Sequence, residues 1–321
     1  MKKDLICILL VILAISLMSC QRNNEQTGGG GPRIALVLKT ANNPFFIDMQ
    51  KGAEEAAKKL GVNLIVQAAE REVDVEKQMQ IIENLIQAKV AALCITPSGS
   101  REVVPAIDKA NRAGIPVVIV DTRVDGKALS EAKATIASFI GSDNYEGGKL
   151  AGEFIAKRLN GKGKVAVLEG IPGHETGDSR LKGFRDALKT TPGVEIVASQ
   201  TANWERDQGF NVFQNILQSH PDVNALFACS DLMALGAIEA IAAANKTGNI
   251  VVVGFDALPE AREDVQKGTM DATVAQFSAR MGAQAVENAY RLIKGEQVKE
   301  EVVIPIKLVT KETLNSSEEN K

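Results

Sequence analysis

The stretch RIALVLKTANNPFFIDMQKGAEEAAKKLG (residues 33–61) shows the structural unit from which this chain is built. Ile34 to Leu38 form a short apolar run. Pro44 to Leu60 have apolar positions three and four residues apart, a period that is typical of a helix. Gly61 then stands where a helix ends in a left-handed residue. A strand that is apolar on both faces and leads into a helix indicates a parallel sheet covered on both sides.

This strand–helix unit recurs along the chain, and a second series of such units follows the first. Without the N-terminal segment described next, about 280 residues remain, which suits two lobes better than one core. The strands are also too many for one open twisted sheet. The predicted fold class is therefore α/β, with two doubly wound parallel-sheet lobes. Strands are predicted at 34–38, 64–67, 91–96, 117–120, 136–140, 164–168, 194–198, 225–228, 250–253, 272–275 and 302–309, and helices at 44–60, 73–88, 101–113, 145–159, 180–189, 206–219, 234–244, 258–267 and 279–294.

Residues 1–20 have the pattern of an export signal. Two lysines precede an apolar run at 5–17 that is too short to span a membrane comfortably, and the run closes on Leu-Met-Ser-Cys. This ending resembles a bacterial lipobox, in which the cysteine receives a diacylglycerol, so Cys20 is the predicted lipidation site. Residues 21–32 are polar and glycine-rich, and we expect a flexible tether there. The mature protein is thus predicted to work outside the cytoplasm, anchored to the cell membrane by its lipid.

Composition excludes several classes of protein. The net charge of -3 offers no basic surface for nucleic acid. Cys94 and Cys229 lie in apolar runs and are expected to be small buried hydrophobes. His174 and His220 show no ligand-like spacing to cysteines or carboxylates, so no metal site is predicted. No phosphate-binding loop with the required spacing occurs, and we expect no cofactor.

Polar and aromatic side chains follow the predicted strands, where the ligands of open parallel sheets gather. Carboxylates and amides pair with hydroxyl groups, and aromatic rings pack on the C–H faces of a sugar. Both kinds recur in both lobes, which predicts one cleft for a neutral sugar. For 39–46 a purely structural role stays open, because Asn-Pro also starts helices, and Asp231 is expected to cap a helix. The strand-end residues are Lys39, Asn43, Phe45, Phe46, Thr96, Asp121, Thr122, Asn144, Ser230, Asp256 and Gln276.

Five segments, taken together, resemble the ribose-type periplasmic binding proteins, the sugar-capturing components of bacterial ABC importers. The resemblance covers about residues 33–310 and implies a monomer that closes on a monosaccharide and delivers it to an ABC permease. It also implies three chain crossings between lobes, near Gly141, Gln276 and Pro305. The expected N-terminal lobe is 33–141 with 277–305, the C-terminal lobe is 142–276 with 306–315, and 316–321 is a polar tail. The five segments are Asn42-Asn43-Pro44-Phe45-Phe46, Ser142-Asp143-Asn144, His220-Pro221-Asp222-Val223, Met233-Ala234-Leu235-Gly236-Ala237 and Val253-Gly254-Phe255-Asp256.

The same resemblance implies roles for individual side chains. Phe45 or Phe46 should form one aromatic wall of the cleft, and Asp121 should bind a pair of sugar hydroxyls. In the other lobe, Trp204 should form the opposite wall and Arg180 should act as a bidentate donor. The polar ring is completed by Asn43, Asp256 and Gln276.

Several positions depart from the ribose pattern. Lys39 stands where ribose binders have Ser, and is similar to the lysine of fructose-type binders. The other polar departures are Thr96, Thr122 and Ser230. Trp204 replaces a common Phe and is larger. A hexose or ketose is therefore favoured over ribose as the ligand.

The same residues are compatible with some other functions and argue against others. A receptor for a polyol or a furanone-type signal, or one that reports to a chemoreceptor, fits the sequence too. The effector-binding core of a LacI-type repressor shares the fold, but an export signal stands where its DNA-binding segment would be. A glycosidase would need its two carboxylates from Asp121 and Asp256, which binding clefts of this kind use without hydrolysis, so an enzyme is not expected. His174, in the predicted loop 171–177, either touches the ligand or caps the loop.

Overall fold

The computed structural model describes residues 31–316. The predicted signal, the lipidation site at Cys20 and nearly all of the tether lie outside these residues, as does most of the polar tail. Within the described part, no helix has the length and apolar character needed to cross a membrane.

Twelve strands form two six-stranded sheets in this part of the chain. Their bounds match most of the apolar runs of the sequence, because the central strands are buried on both faces of a sheet. The strands are β1 (Arg33–Thr40), β2 (Asn63–Ala69), β3 (Ala92–Ile95), β4 (Val117–Val120), β5 (Ser138–Ser142), β6 (Gly163–Glu169), β7 (Val194–Thr201), β8 (Ala225–Ala228), β9 (Val251–Asp256), β10 (Ala272–Ala275), β11 (Glu301–Ile304) and β12 (Lys307–Thr310).

Helices connect the strands and cover the sheets. Five of the eleven described helices begin at a polar side chain that caps the first turn; Asn43, for example, accepts a hydrogen bond from the backbone of Phe45. The helices are α1 (Pro44–Leu60), α2 (Val75–Gln87), α3 (Val104–Arg112), α4 (Gly126–Ala132), α5 (Asn144–Arg158), α6 (Glu175–Leu188), α7 (Arg206–Ser219), α8 (Asp231–Ala243), α9 (Pro259–Lys267), α10 (Ser278–Ile293) and α11 (Lys311–Leu314).

Both sheets have the same strand order. The first runs β11-β5-β4-β3-β1-β2 and the second β12-β10-β9-β8-β6-β7, and all pairs are parallel except β10 with β12. The chain passes between the sheets three times: from β5 to β6, from β10 to β11, and from β11 to β12. The predicted α/β class with two doubly wound lobes joined by three crossings is confirmed.

Strand β1 shows how the core is divided. Ile34, Leu36 and Leu38 point to one side of the sheet and belong to one hydrophobic cluster. Ala35 and Val37 point to the other side and belong to a second cluster. All five are essentially inaccessible to water. Because side chains alternate along a strand, a continuous apolar run is needed to fill both layers.

Close packing of α5 on α6 fixes one side of the C-terminal lobe. A Cβ atom on Gly148 would lie 1.9 Å from the carbonyl oxygen of Arg180, and one on Gly183 would lie 1.9 Å from that of Tyr145. Only glycine allows two helix backbones to approach this closely. This contact sets the position of Arg180, which lines the cavity between the lobes.

The structure differs from the sequence predictions at four elements, one of which is the short helix α11, which was not predicted. The segment 302–309 is two strands, because Pro305 breaks the run and the halves join different sheets. Helix α6 begins at Glu175, not at Arg180, so the predicted loop 171–177 ends three residues early, at His174. Helix α4 was missed, although Asp125 accepts a hydrogen bond from Ala128 N as its N-cap.

Asp231 does not cap α8, so that prediction is wrong. Ser230 is the N-cap and accepts from the backbone of Met233, while Asp231 is the first helical residue and is fully buried. Its carboxylate accepts hydrogen bonds from Thr273 Oγ1 at 2.7 Å and from Leu258 N at 2.8 Å. Asp231 therefore ties α8 to β10 and to the start of α9.

We expect Asp231→Ala to lower the free energy of unfolding by about 2–5 kcal/mol, because two buried donors would each lose a partner. Urea unfolding without ligand measures this change. The matched control is Asp222→Ala, whose carboxylate is exposed and pairs with Lys164 at the surface. Equal midpoints for the two variants would contradict a structural role for Asp231.

Candidate functional site

A cavity lies where the carboxyl ends of the strands of the two sheets face each other. It contains about 310 Å³ of unoccupied space, including the part that is open to solvent. Each lobe supplies six of the lining residues, so the cavity exists only while the lobes are closed. It is lined by Lys39, Asn43, Phe45, Phe46, Glu72, Asp121, Thr176, Arg180, Trp204, Ser230, Asp256 and Gln276.

The N-terminal lobe contributes a buried cluster around Lys39. The Lys39 ammonium lies 3.3 Å from Asp121 Oδ2 and 3.9 Å from Glu72 Oε2. Asn43 Nδ2 donates to Glu72 Oε1 at 3.1 Å, and Thr122 Oγ1 donates to Asp121 Oδ2 at 2.8 Å. Each group is thus held by a neighbour, yet the carboxylates keep further lone pairs for a ligand.

Glu72 was not identified from the sequence. It follows β2, a position for which the sequence analysis made no prediction, and its approach to Lys39 depends on the pairing of β1 with β2. Burial raises the pKa of Glu72, while Lys39 and the Asn43 amide lower it. Thr176, at the start of α6, was also missed, because the sequence indicated a loop there.

The C-terminal lobe holds Arg180 in one fixed orientation. Its Nε donates to Asn144 Oδ1 at 2.8 Å, and its Nη1 donates to the carbonyl oxygen of Cys229 at 2.7 Å. The guanidinium carbon lies 3.8 Å from the centre of the Phe255 ring, a cation–π contact. Nη1 also lies 3.7 Å from Asp256 Oδ1.

Asp256 and Gln276 form a polar pair beside Arg180. Gln276 Nε2 donates to Asp256 Oδ1 at 2.6 Å, while Gln276 Oε1 is buried and finds no hydrogen-bond partner among the described residues. A buried acceptor without a partner is costly, so this oxygen is a clear position for a ligand hydroxyl. Burial raises the pKa of Asp256 to about 7, while Arg180 and Gln276 lower it.

Three residues of the cavity have left-handed backbone conformations. The φ angles are 65° at Asp121, 66° at Trp204 and 117° at Asp256. Such conformations cost a non-glycine residue about 1–3 kcal/mol each and persist where the surrounding structure imposes them, as at ligand-binding sites. The strain turns these side chains into the cavity.

Ten of the thirteen residues predicted for the site line the cavity, and three do not. Thr122 and Asn144 instead hold Asp121 and Arg180 through the hydrogen bonds given above. Thr96 is fully buried and its hydroxyl donates to the carbonyl oxygen of Val37. Which of the thirteen contact a ligand stays a prediction.

Comparison with known proteins identifies the family. The model of the periplasmic binding protein domain matches residues 34–297. The chain belongs to this family. It is 39% identical over 279 residues to the ribose import binding protein of Escherichia coli K12, covering 87% of this chain and 90% of that protein. It is 38% identical over 254 residues to the D-allose-binding periplasmic protein of the same organism, covering 79% and 82%.

A solved structure agrees with this assignment. The ABC transporter periplasmic solute binding protein of Actinobacillus succinogenes 130z, with bound D-allose, superposes with a TM-score of 0.84. The two chains are 41% identical, and the match covers 88% of this chain and 98% of the other. The predicted resemblance to ribose-type binding proteins is therefore confirmed, and with it the type I fold of two lobes. Periplasmic binding proteins are substrate-binding proteins of transport and work outside the cytoplasm.

We expect Lys39→Met to make stability fall more steeply with rising pH. Burial raises the pKa of Glu72 and Lys39 lowers it, so loss of Lys39 should raise it further. A carboxyl with a higher pKa in the folded state keeps a proton that the unfolded chain has lost, so its contribution to stability disappears as pH rises from about 4.3 through the folded pKa.

Urea unfolding without ligand, at about pH 5 and about pH 8, measures the difference. Each unit by which the pKa of Glu72 rises adds about 1.4 kcal/mol to the decrease in the free energy of unfolding between these two pH values. Lys51→Met, at an exposed position of α1, is the control and should follow the wild type. A Lys39→Met profile parallel to the wild type would contradict the pairing of Lys39 with Glu72.

Proposed function

We propose that this protein captures one neutral monosaccharide between its lobes and delivers it to an ABC permease. The observation that carries this proposal is the closed cavity, lined equally by both lobes and rich in fixed hydrogen-bonding groups beside aromatic rings. Carboxylates, a guanidinium and an amide match the alternating donors and acceptors of sugar hydroxyls. Phe45, Phe46 and Trp204 supply the surfaces on which a sugar ring packs.

The charges of the cavity favour a neutral ligand. Lys39 and Arg180 face three carboxylates, those of Glu72, Asp121 and Asp256. Because the pKa of Asp256 is raised, the sum of these five charges is close to zero near neutral pH. An added carboxylate or phosphate would have no unpaired cation among these residues to meet it, which argues against sugar acids and sugar phosphates.

Among neutral sugars, we propose an aldohexose such as D-allose ahead of ribose. The larger Trp204 and the lysine at the end of β1 are the features of this chain that support a six-carbon ligand. A relative with bound D-allose shares 41% of its residues with this chain. The ribose import binding protein at 39% identity makes ribose the second candidate.

Hinge closure is the proposed mechanism of capture. A sugar that bridges the lobes binds the closed form better than the open form, and so shifts the equilibrium toward closure. We place the lobes at 33–141 with 277–305 and at 142–276 with 306–315, and the membership of β11 and β12 in different sheets supports these bounds. The permease would then recognise the closed, loaded shape.

A thermal-shift and calorimetry panel tests the function. We expect D-allose at one hundred times its dissociation constant to add about 2.7 kcal/mol of stability, or roughly 5 °C of melting temperature. D-ribose, D-fructose, myo-inositol and D-gluconate complete the panel. Binding of gluconate alone would contradict the proposal of a neutral sugar. If none of the five compounds changes the melting temperature, the proposal that the ligand is a monosaccharide is contradicted.

The Asp256→Ala variant tests whether the sugar binds in this cavity. Loss of charge-assisted hydrogen bonds, at about 1.5–3 kcal/mol each, should weaken sugar affinity by at least tenfold. The exposed Asp222→Ala variant should bind like the wild type. Wild-type affinity in Asp256→Ala would place the sugar elsewhere.

We also propose a lipid anchor at Cys20, on the strength of the lipobox-like ending of the N-terminal apolar run. We expect Cys20→Ser, expressed in a bacterium that processes lipoproteins, to move the protein from the membrane fraction to the soluble fraction, because one thioether-linked lipid would be lost. Membrane fractionation and metabolic labelling with a palmitate analogue measure this. Unchanged membrane attachment and labelling would contradict the anchor.

A further inference from the structure

A second cavity lies between the same two lobes. It contains about 1080 Å³ of unoccupied space, including the part that is open to solvent, against about 310 Å³ in the cavity described above. The segment 70–73 of the N-terminal lobe and the segment 203–208 of the C-terminal lobe form most of its walls. Arg71, Val73 and Asp207 are exposed, whereas the residues of the first cavity are nearly all buried. We call the first the inner cavity and the second the outer cavity.

The two cavities adjoin each other. Asn43, Glu72 and Trp204 line both of them. The first two belong to the N-terminal lobe and Trp204 to the C-terminal lobe, and all three are more than nine-tenths buried. They therefore form the boundary between the buried inner cavity and the exposed outer one. A ligand group that extends from the inner cavity toward solvent would pass between Glu72 and Trp204.

Hydrogen bonds within the N-terminal lobe hold one wall of the outer cavity. The carbonyl oxygen of Glu70 accepts from Thr40 Oγ1 at 2.9 Å and from Asn42 Nδ2 at 3.1 Å. Arg71 Nη2 donates to Asp74 Oδ1 at 2.9 Å. The segment after β2 is thus fixed to the end of β1 and to the start of α2.

The opposite wall is held in the same way by the C-terminal lobe. Thr201 Oγ1 donates to the carbonyl oxygen of Gly170 at 2.6 Å, and Asn203 Nδ2 donates to Gln208 Oε1 at 2.7 Å. Within residues 31–316, the hydrogen bonds and ion pairs of both walls stay in their own lobe. The outer cavity therefore stays open when the lobes are closed around the inner one.

The outer cavity has the side chains that a second neutral sugar unit requires. The amides of Asn42, Asn203 and Gln208 supply donors and acceptors for hydroxyl groups. Val73, which is 46% exposed, and Leu232 supply apolar surface for the C–H groups of a sugar ring. Polar groups beside an apolar surface are also what the inner cavity presents to its ligand.

The charges of the outer cavity argue against an acidic group. The carboxylates of Glu70, Glu205 and Asp207 line it, and Arg71 is the one cation among its lining residues in the described part of the chain. The Arg71 guanidinium is already paired with Asp74. A carboxylate or phosphate would thus meet like charges and no unpaired cation.

We propose that the outer cavity is a second sugar subsite, and that the ligands of this protein include neutral glycosides. One sugar ring occupies the inner cavity, and a further neutral sugar unit, attached to one of its hydroxyls, extends between Glu72 and Trp204 into the outer cavity. The subsite rests on the proposed function, because it requires a sugar ring in the inner cavity. Only the hydroxyl that faces this passage has room for a substituent, since the rest of the inner cavity is buried.

Methyl derivatives test the passage. Calorimetry compares D-allose with each of its mono-O-methyl derivatives, the methyl glycosides included, and D-ribose with its own set in parallel. We expect one position to tolerate the methyl group with affinity close to that of the parent sugar. At the other positions affinity should fall roughly tenfold or more, because a closed cavity has no room for the added group.

A disaccharide and a filled outer cavity test the subsite itself. At the tolerated position, a β-D-glucosyl unit replaces the methyl group, and this disaccharide should bind at least as tightly as the parent sugar. Val73→Trp places a large ring in the outer cavity, so it should weaken the disaccharide roughly tenfold or more and leave the parent sugar unaffected. Val303→Trp is the matched control, at an exposed valine that lines neither cavity.

The outcomes separate this inference from the proposed function. If the parent sugar binds and every methyl derivative loses affinity, the passage does not exist and the inference alone is overturned. Equal affinity of Val73→Trp and the wild type for the disaccharide would also overturn it. If neither D-allose nor D-ribose binds, the proposed function fails, and the subsite with it. Unfolding midpoints within error of the wild type show that both variants fold.

Discussion

Burial of charge between two lobes is the constraint on which the rest of this structure depends. Lys39, Glu72, Asp121, Arg180 and Asp256 are each at least nine-tenths buried. Removing an unpaired ion from water costs several kcal/mol, so each lobe pairs its own charges: Lys39 with two carboxylates, and Arg180 with one. The site is therefore nearly satisfied before a ligand arrives, and a ligand adds the bonds that join the lobes.

A second layer of polar residues keeps these charges in place. Asn144 and the Cys229 carbonyl hold Arg180, Thr122 holds Asp121, and Gln78 joins the ends of β1 and β3. Because these partners lie on helices or in the turns that directly follow buried strands, the binding groups are fixed relative to their own lobe. Closure is then a movement of two rigid halves about three crossings.

Sequence periodicity predicted the elements well where a strand is buried on both faces or a helix buries one apolar face. The bounds 117–120, 225–228, 44–60 and 206–219 coincide with the structure. The predictions were wrong where tertiary contacts overrule the local pattern. The apolar run 302–309 is divided at Pro305, and its two halves pair with different sheets. Asp231 accepts a hydrogen bond from Thr273 instead of capping its helix. The short helix α4 lacks an apolar face of clear period, since none of its residues is buried.

The sequence by itself determined the two-lobed α/β architecture, the family and most of the residues that line the cavity, because apolar runs and strand-end residues are local properties of the chain. Only the tertiary structure decided which polar groups meet. Glu72 reaches Lys39 through strand pairing, and His174 accepts a hydrogen bond from the indole of Trp204, thirty residues further along the chain. Hydrogen bonds and ion pairs depend on distances of a few ångströms, and the arrangement of both lobes sets those distances.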